Sequence, residues 1–281
     1  MEHTSRTPVA RRGPLVRPAA SGARRGAAPS GATETVDLSL RLLDRLAESR
    51  EPLGVSGLAR EFGTSKTKVH RHLQTLTRHA YVRQDGVTRR YEAGIKLFML
   101  GERLRERFDI LTAARDDMAR LRDATGQAVT LTTLSDDQVV VLDLFHGRAI
   151  VEFGTRPGTV LDLHASAHGK VALAFGPPGL FERCVARPLK AWTPQTLCSR
   201  PALERALAEV RKRGWAIAPN QVLTGVNGLA APIFNHSGDY AGAIAIAGSV
   251  QHITATPSPQ QIRAVVAAAR SISQKMGWAA R

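Results

Sequence analysis

The sequence predicts an α+β protein with an N-terminal winged helix-turn-helix, a linker helix and a C-terminal α/β domain. Three observations carry that prediction. Three short helical repeats, with a glycine turn between the second and third, are followed by a hairpin signal within residues 34–94. A further helical run spans the linker, residues 95–109. From residue 110 to 281, helical and strand-like runs alternate, as in one mixed domain. A chain of 281 residues with 43% hydrophobic and 22% charged content has material for two cores, which excludes a wholly disordered chain.

Residues 1–33 come first. Arg6, Arg11, Arg12, Arg17, Arg24 and Arg25 stand among Pro, Gly and Ala with no periodic apolar face, so a disordered basic tail is expected. It reads equally as an arm lying along DNA phosphates or as a solvated tail. Leu38, Leu42, Leu43 and Leu46 then recur at helical spacing and predict a helix that ends before Pro52. Ser56–Phe62 predicts a second helix, and Gly63 stops it. Thr64 and Ser65 both offer N-caps for a third helix over Lys66–His79. Tyr81–Tyr91 carries Asp85-Gly86 between two β-prone runs and predicts the hairpin. Ile95–Arg107 predicts the linker helix. Beyond it, Ala128–Leu134, Gln138–Leu144, Ala149–Phe153, Leu229–Phe234 and Tyr240–Ala247 read as strands. Thr112–Ala124, His164–Phe175, Pro201–Arg213 and Pro259–Met276 read as helices, with turns at Asp136-Asp137 and Ser237-Gly238-Asp239.

Charge says what the first domain meets. Lys and Arg number 39 against 24 Asp and Glu, a net charge of +15, and the pI is near 11.0. Such an excess points to an anionic partner, most simply nucleic acid. From Arg60 to Arg90 there are eight Lys or Arg and only two acids, Glu61 and Asp85. On the third helix Val69, Leu73 and Leu76 share the face that packs. The opposite face presents Thr67, Arg71, Gln74 and Arg78, flanked by Lys68, His70 and Thr75. Arg pairs bidentately with guanine and Gln with adenine. Ser65 and Lys66 at the helix start and Arg89 and Arg90 on the wing complete the expected DNA-binding set.

Catalytic and metal chemistry find little support. Cys184 and Cys198 make neither a disulfide framework nor a CxxC pair, which suits a reducing, cytoplasmic setting. His164 and His168 have a metal-capable i, i+4 spacing but no third ligand. Ser166 lies outside any G-x-S-x-G elbow. No P-loop or G-x-G-x-x-G occurs, so neither cofactor nor catalytic residue is expected. The longest apolar stretch, Tyr240–Gly248, is too short to cross a bilayer, and no apolar h-region follows the basic N-terminus.

Longer segments resemble a known family. GTSKTKVHRHLQTLTRHAYVRQDG is similar to the recognition helix and wing of the IclR family of bacterial transcriptional regulators. YEAGIKLFMLG is similar to its wing-to-linker segment, and GTRPGTVLDLHASAHGKVALAF and RKRGWAIAPNQVLTGVNGLAAPIFNHSG to its two effector-domain signatures. The resemblance covers residues 36–278. It implies a GAF/PAS-like effector-binding domain and a homodimer or dimer of dimers on a palindromic double-stranded DNA operator, as repressor or activator. Two departures stand out. Asn220 and Gln221 occupy the place of a usual acid pair, and Gly228 that of a frequent Cys or Ser.

The leading expectation is therefore a ligand-responsive regulator. A small organic acid is expected within residues 110–281, near 145–166 and 220–230. Arg148 and Arg156 offer planar forks for its carboxylate, and Phe145, Phe153 and Leu163 an apolar wall. His164, Ser166, Asn220, Gln221, Asn227 and Gly228 complete the expected effector site. The arginines read equally as solvated or as paired with Asp143, Glu152 or Asp162. Lys170 reads equally as an effector contact or a structural residue. Trp192, Trp215 and Trp278 read as core or interface. Two rival readings are a small-molecule hydrolase with an accessory basic domain, and a non-specific nucleoid-type binder.

Overall fold

The computed structural model describes residues 34–105, 109–148 and 155–279. The basic tail and the strand expected at Ala149–Phe153 lie outside these residues. Contacts divide the chain into two units, with the boundary between Phe108 and Asp109.

The first unit holds α1 (Glu34–Glu48), α2 (Val55–Glu61), α3 (Lys66–Arg78), β1 (Val82–Gln84), β2 (Tyr91–Ala93) and α4 (Ile95–Arg105). Its core gathers Leu38, Leu42 and Leu46 of α1, Leu58 of α2, and Val69, Leu73 and Leu76 of α3, with Val82 and Tyr91. The turn between α2 and α3 needs Gly63, whose φ of +61° lies in the left-handed region. Of the two candidate caps, Ser65 takes the role: its side chain accepts from Lys68 N at 3.2 Å. β1 and β2 pair antiparallel, and Tyr91 also exchanges backbone bonds of 2.7 and 2.8 Å with Leu53.

The wing turn departs from a two-residue hairpin. Residues 85–90 form a longer loop, and Arg89 (φ 58°) adopts the left-handed conformation instead of Gly86. Asp85 organises this loop. Its carboxylate accepts from Val87 N at 3.2 Å and from Thr88 N and Oγ1 at 2.6 Å each.

The second unit runs α5 (Asp109–Thr125), β3 (Ala128–Ser135), β4 (Gln138–Phe145), β5 (Val160–Leu161), α6 (Ala167–Phe175), α7 (Leu180–Val185), α8 (Arg200–Arg213), β6 (Ala216–Pro219), β7 (Val226–Phe234), β8 (Tyr240–Ser249) and α9 (Pro259–Lys275). Among the described residues these strands form one antiparallel sheet in the order β5-β4-β3-β8-β7-β6. Asp136 and Asp137, both at positive φ, turn β3 into β4. The side chain of Asn235 accepts from Ser237 N and Asp239 N at the β7–β8 turn.

The two sheet faces differ in side-chain size. Val129, Leu131, Leu229, Ile233, Ile244 and Ile246 pack under α5 and α9 with Met118, Val265 and Ile272. The other face is Ala216, Ala218, Ala230, Ala243 and Ala245, met by Ala167 and Val171 of α6. A floor of alanines lets α6 lie close to the strands. α6 starts three residues later than expected. Ser166 is its N-cap, accepting from Gly169 N at 2.9 Å and donating to Asp162 O at 2.8 Å. His164 consequently precedes the helix, and the i, i+4 pairing of His164 with His168 does not exist.

β5, α7 and β6 carried no clear pattern. β6, Ala-Ile-Ala-Pro, has little intrinsic β-propensity and exists through its pairing with β7.

Two glycines test the close approach of α6. A Cβ on Gly169 would collide with the backbone oxygens of Asp162 and Leu163, whereas one on Gly228 would sit 3.6 Å from the Ala167 methyl. Gly169→Ala should destabilise the protein by about 1–3 kcal/mol, and Gly228→Ala should leave stability within about 0.5 kcal/mol. Urea denaturation of both variants checks this contrast. Equal stabilities would contradict the packing described.

Candidate functional site

The first unit presents a basic face. Thr67, His70, Arg71, Gln74, Thr75 and Arg78 are exposed on α3, as are Ser65 and Lys66 at its start; Lys68 is half-buried. Val69, Leu73 and Leu76 on the opposite side are buried. Thr75 Oγ1 donates to Arg71 O at 3.0 Å. Arg89 and Arg90 are exposed on the wing, and Arg90 Nη1 reaches Pro52 O at 3.4 Å.

Both acids of the basic window are already engaged. Arg45 pairs with Glu61 at 2.7 Å. Asp85 serves the wing loop, and its hydrogen bonds to Thr88 hold its carboxyl below the usual range. The α3 face therefore keeps its positive field. His72 was not foreseen as a core residue. It is buried beside that face and meets Ser39 Oγ through Nδ1 at 2.8 Å. Burial first, and the charges of Lys68 and Arg71 next, lower its pKa. The available signal was on α3 itself, where His72 stands three residues after Val69 and four before Leu76, at the edge of the packing stripe.

In the second unit the expected effector residues separate into groups. Asn220, Gln221 and Asn227 come together where β6 passes into β7. Asn220 (φ 53°) accepts from Gly225 N at 2.7 Å through Oδ1. Its N–H donates to Asn227 Oδ1 at 2.7 Å, and Asn227 Nδ2 donates to Ile253 O at 2.7 Å. Thr193 Oγ1 donates to Asn220 O at 2.6 Å and Thr196 Oγ1 to Gln221 O at 2.7 Å. Gln221 is buried, and its Oε1 accepts from Lys170 Nζ of α6. Gly228 lies under Ala167, next to Ser166, the α6 cap. His164 Nε2 is 2.9 Å from Lys190 O.

The aromatic and arginine candidates lie elsewhere. Phe145 packs with the α5/α9 core, and the Arg122 guanidinium sits 5.7 Å from its ring centre. The Arg148 side chain is 72% exposed, with Nη2 3.9 Å from Asp123. Arg156 is exposed beside Thr159, at the β5 edge of the sheet and thus the edge opposite β6. Phe153 lies outside the described residues.

His168 is buried between Thr130 Oγ1 at 2.7 Å and Thr132 Oγ1 at 2.9 Å. Burial pushes its pKa down to about 3, so it is a neutral packing group. Among the described residues no three metal-capable side chains cluster. Burial pushes the Cys184 thiol up to about 11, far from a reactive thiolate. Trp215 packs on the α5/α9 core, Trp278 stacks 5.5 Å from Phe234, and Trp192 is 39% exposed under Lys190 Nζ. The threonine partners of this unit escaped sequence reading because nothing local marks a Thr whose acceptor lies on a distant strand.

Known proteins resemble the chain along most of its length. Residues 35–86 match the IclR helix-turn-helix domain, and residues 103–274 match the C-terminal domain of the bacterial transcriptional regulator IclR. The HTH-type transcriptional regulator BhcR of Paracoccus denitrificans is 30% identical over 249 residues, 88% of this chain and 89% of that protein. The transcriptional repressor IclR of Escherichia coli is 28% identical over 265 residues, 91% and 97% of the two chains. Among solved structures, the Thermotoga maritima IclR gives a TM-score of 0.72 at 26% identity, covering 87% of this chain and 99% of that one. An IclR homologue from Microbacterium hydrocarbonoxydans, complexed with 4-hydroxybenzoate, gives 0.75 at 22% identity, covering 86% and 98%, and shares the fold. Among the described residues no helix is long and apolar enough to cross a membrane.

Arg71 is exposed and opposite the packing stripe, so its removal opens no cavity. Arg71→Ala should keep the melting temperature and weaken specific DNA binding by about 1–3 kcal/mol per half-site. Fluorescence anisotropy at fixed salt checks this. Unchanged affinity would remove Arg71 from the interface.

Proposed function

The chain belongs to the IclR family of bacterial transcriptional regulators, and from that premise we propose how it reads DNA and what it senses. It is a DNA-binding transcriptional regulator, not an enzyme, in a family whose members bind DNA operators and small-molecule effectors. The exposed face of α3 enters the major groove. Arg71 and Gln74 meet base edges there. Ser65, Lys66, Thr67, Lys68, His70, Thr75 and Arg78 hold the register, and Arg89 and Arg90 of the wing meet the backbone. The observation that carries this is the basic α3 face beside two acids that are both engaged elsewhere.

A palindromic operator needs two copies of that face. On α4, Ile95 is 67% exposed, Phe98 64% and Met99 48%. Ile95 and Phe98 border a mainly apolar groove that also includes Ala47, Val82 and Ala93, with Arg83 and Gln84 among its lining. A second copy of this chain is its occupant, and the protein acts as a homodimer or a pair of dimers in the cytoplasm, where its DNA lies. A small organic acid binds within residues 110–281, against the cluster around Asn220, Gln221 and Asn227. It shifts operator affinity by the difference in its own affinity for the two arrangements of the dimer.

Footprinting on the DNA that flanks the gene, followed by anisotropy at fixed salt, tests the first part. A regulator prefers its operator by roughly three or more orders of magnitude over unrelated DNA; equal affinities would leave a non-specific binder. Thermal shift with benzoate, 4-hydroxybenzoate and short aliphatic acids, each against its amide, tests the second. The acids should raise the melting temperature and the amides should not.

The dimer surface makes its own prediction. Ile95→Glu with Phe98→Glu should shift the protein toward monomer in analytical ultracentrifugation and weaken operator binding, with secondary structure kept. A double variant that remains dimeric would place the interface elsewhere.

A further inference from the structure

Lys170 is a buried cation in neutral company. Its residue is 3% exposed. Nζ donates to Ile217 O at 3.0 Å and to Gln221 Oε1. No Asp or Glu pairs with it among the described residues. Lysine is seldom buried without an anionic partner, because the ammonium loses its hydration and regains only part of it from neutral oxygens. The surroundings offer no relief. His168 on the same helix is neutral, and Arg213 at the end of α8 repels a second charge. The loop after β6 contributes an amide and β6 a carbonyl. Burial, reinforced by Arg213, brings the Lys170 pKa down to about 7.

The group that holds Lys170 can be exchanged without dismantling the loop. Gln221 is tied through its backbone, by Thr196 Oγ1 to its carbonyl, and Asn220 is tied by Thr193 and Gly225. Among the described residues the Gln221 side chain bonds to Lys170 Nζ alone, so exchange of that one group leaves the backbone ties in place. Val222 and Leu223, next in the loop, are 37% and 41% exposed and Trp192 is 39% exposed, and the Trp192 amide donates to the same Thr196 hydroxyl at 3.1 Å.

We infer that Lys170 Nζ receives the carboxylate of the effector in the position now held by the Gln221 amide oxygen, with Trp192, Val222 and Leu223 giving apolar surface to the acid's body. This rests on the organic-acid reading above and names its anchor in place of Arg148 and Arg156, whose described contacts are with Asp123 and Thr159 and not with this cluster. An anion beside Nζ stabilises the ammonium, so the site takes up a proton on binding wherever the free amine is neutral. Above pH 7 that proton must be drawn from solution. Below pH 7 it is already present. Affinity for a carboxylate therefore rises about tenfold from pH 8 to pH 6, most of it between pH 8 and pH 7, while affinity for the matching amide does not rise.

Isothermal titration calorimetry on the full chain tests this with two probe pairs, benzoate with benzamide and propionate with propionamide. The wild type should prefer the carboxylate at least tenfold, with heats at pH 8 that depend on the buffer through proton uptake. Lys170→Met should lose the preference. Gln221→Glu, which places a permanent carboxylate beside Nζ, should weaken carboxylate binding at least tenfold in a folded protein. Preference that survives in Lys170→Met, or carboxylate affinity that ignores pH, overturns the inference and leaves the acid effector standing. If Lys170→Met does not fold, unchanged carboxylate affinity in Gln221→Glu overturns it equally. If neither carboxylate binds the wild type, the organic-acid reading fails and takes the inference with it.

Discussion

The second unit depends on how closely α6 lies on its sheet. Four successive residues do four different things there. Ala167 covers Gly228, His168 reaches Thr130 and Thr132 on β3, Gly169 slides under the Asp162–Leu163 backbone, and Lys170 turns toward the β6 edge. None of this is available to a helix held at the distance that Leu or Ile side chains demand. The alanine face of β6, β7 and β8 is the complement of that helix. The large aliphatics go to the opposite face, where α5 and α9 can stand further off. Asymmetry in side-chain volume thus sets where a polar, ligand-sized cluster can form at all.

The first unit solves a different problem with the same economy of means. Its core is one apolar stripe per helix, and everything facing away is left for recognition. Positive charge on such a face is only useful if local acids do not cancel it. Arg45 draws Glu61 aside, and the wing loop consumes Asp85 as a structural acceptor. Arg83 on β1 is in turn matched by Glu92 on β2 at 2.6 Å. The exposed cations Lys66, Arg71 and Arg78 of α3 and Arg89 and Arg90 of the wing are left where phosphates and base edges would be met.

A regulator of this kind needs its effector to distinguish two arrangements, and the strength of regulation equals that difference in affinity. The loop after β6 is closed by Thr193, Thr196, Asn220 and Asn227, which satisfy its backbone groups internally around Gln221. Against it stands Lys170 of α6, buried and held by neutral oxygens from β6 and from this loop.

The sequence by itself determined the helix-turn-helix, the hairpin, the long C-terminal elements and the exposed face of α3. Each rests on a local signal: the spacing of Leu38, Leu42 and Leu46, the helix stop at Gly63, a capping residue at Thr64 or Ser65, the stripe of Val69, Leu73 and Leu76. Tertiary structure decided the rest. β6 exists because β7 is beside it, and Arg89 is strained because Asp85 gathers the wing loop around itself. Arg148 faces Asp123, Phe145 belongs to the α5/α9 core, and His164 stands before α6 instead of within it, since Ser166 takes the cap. In each case the partner is far away in the chain or chosen between equal local options. Periodicity shows which face of an element is apolar, but which residue from another element arrives there is settled only when the sheet order and the closeness of α6 bring them together.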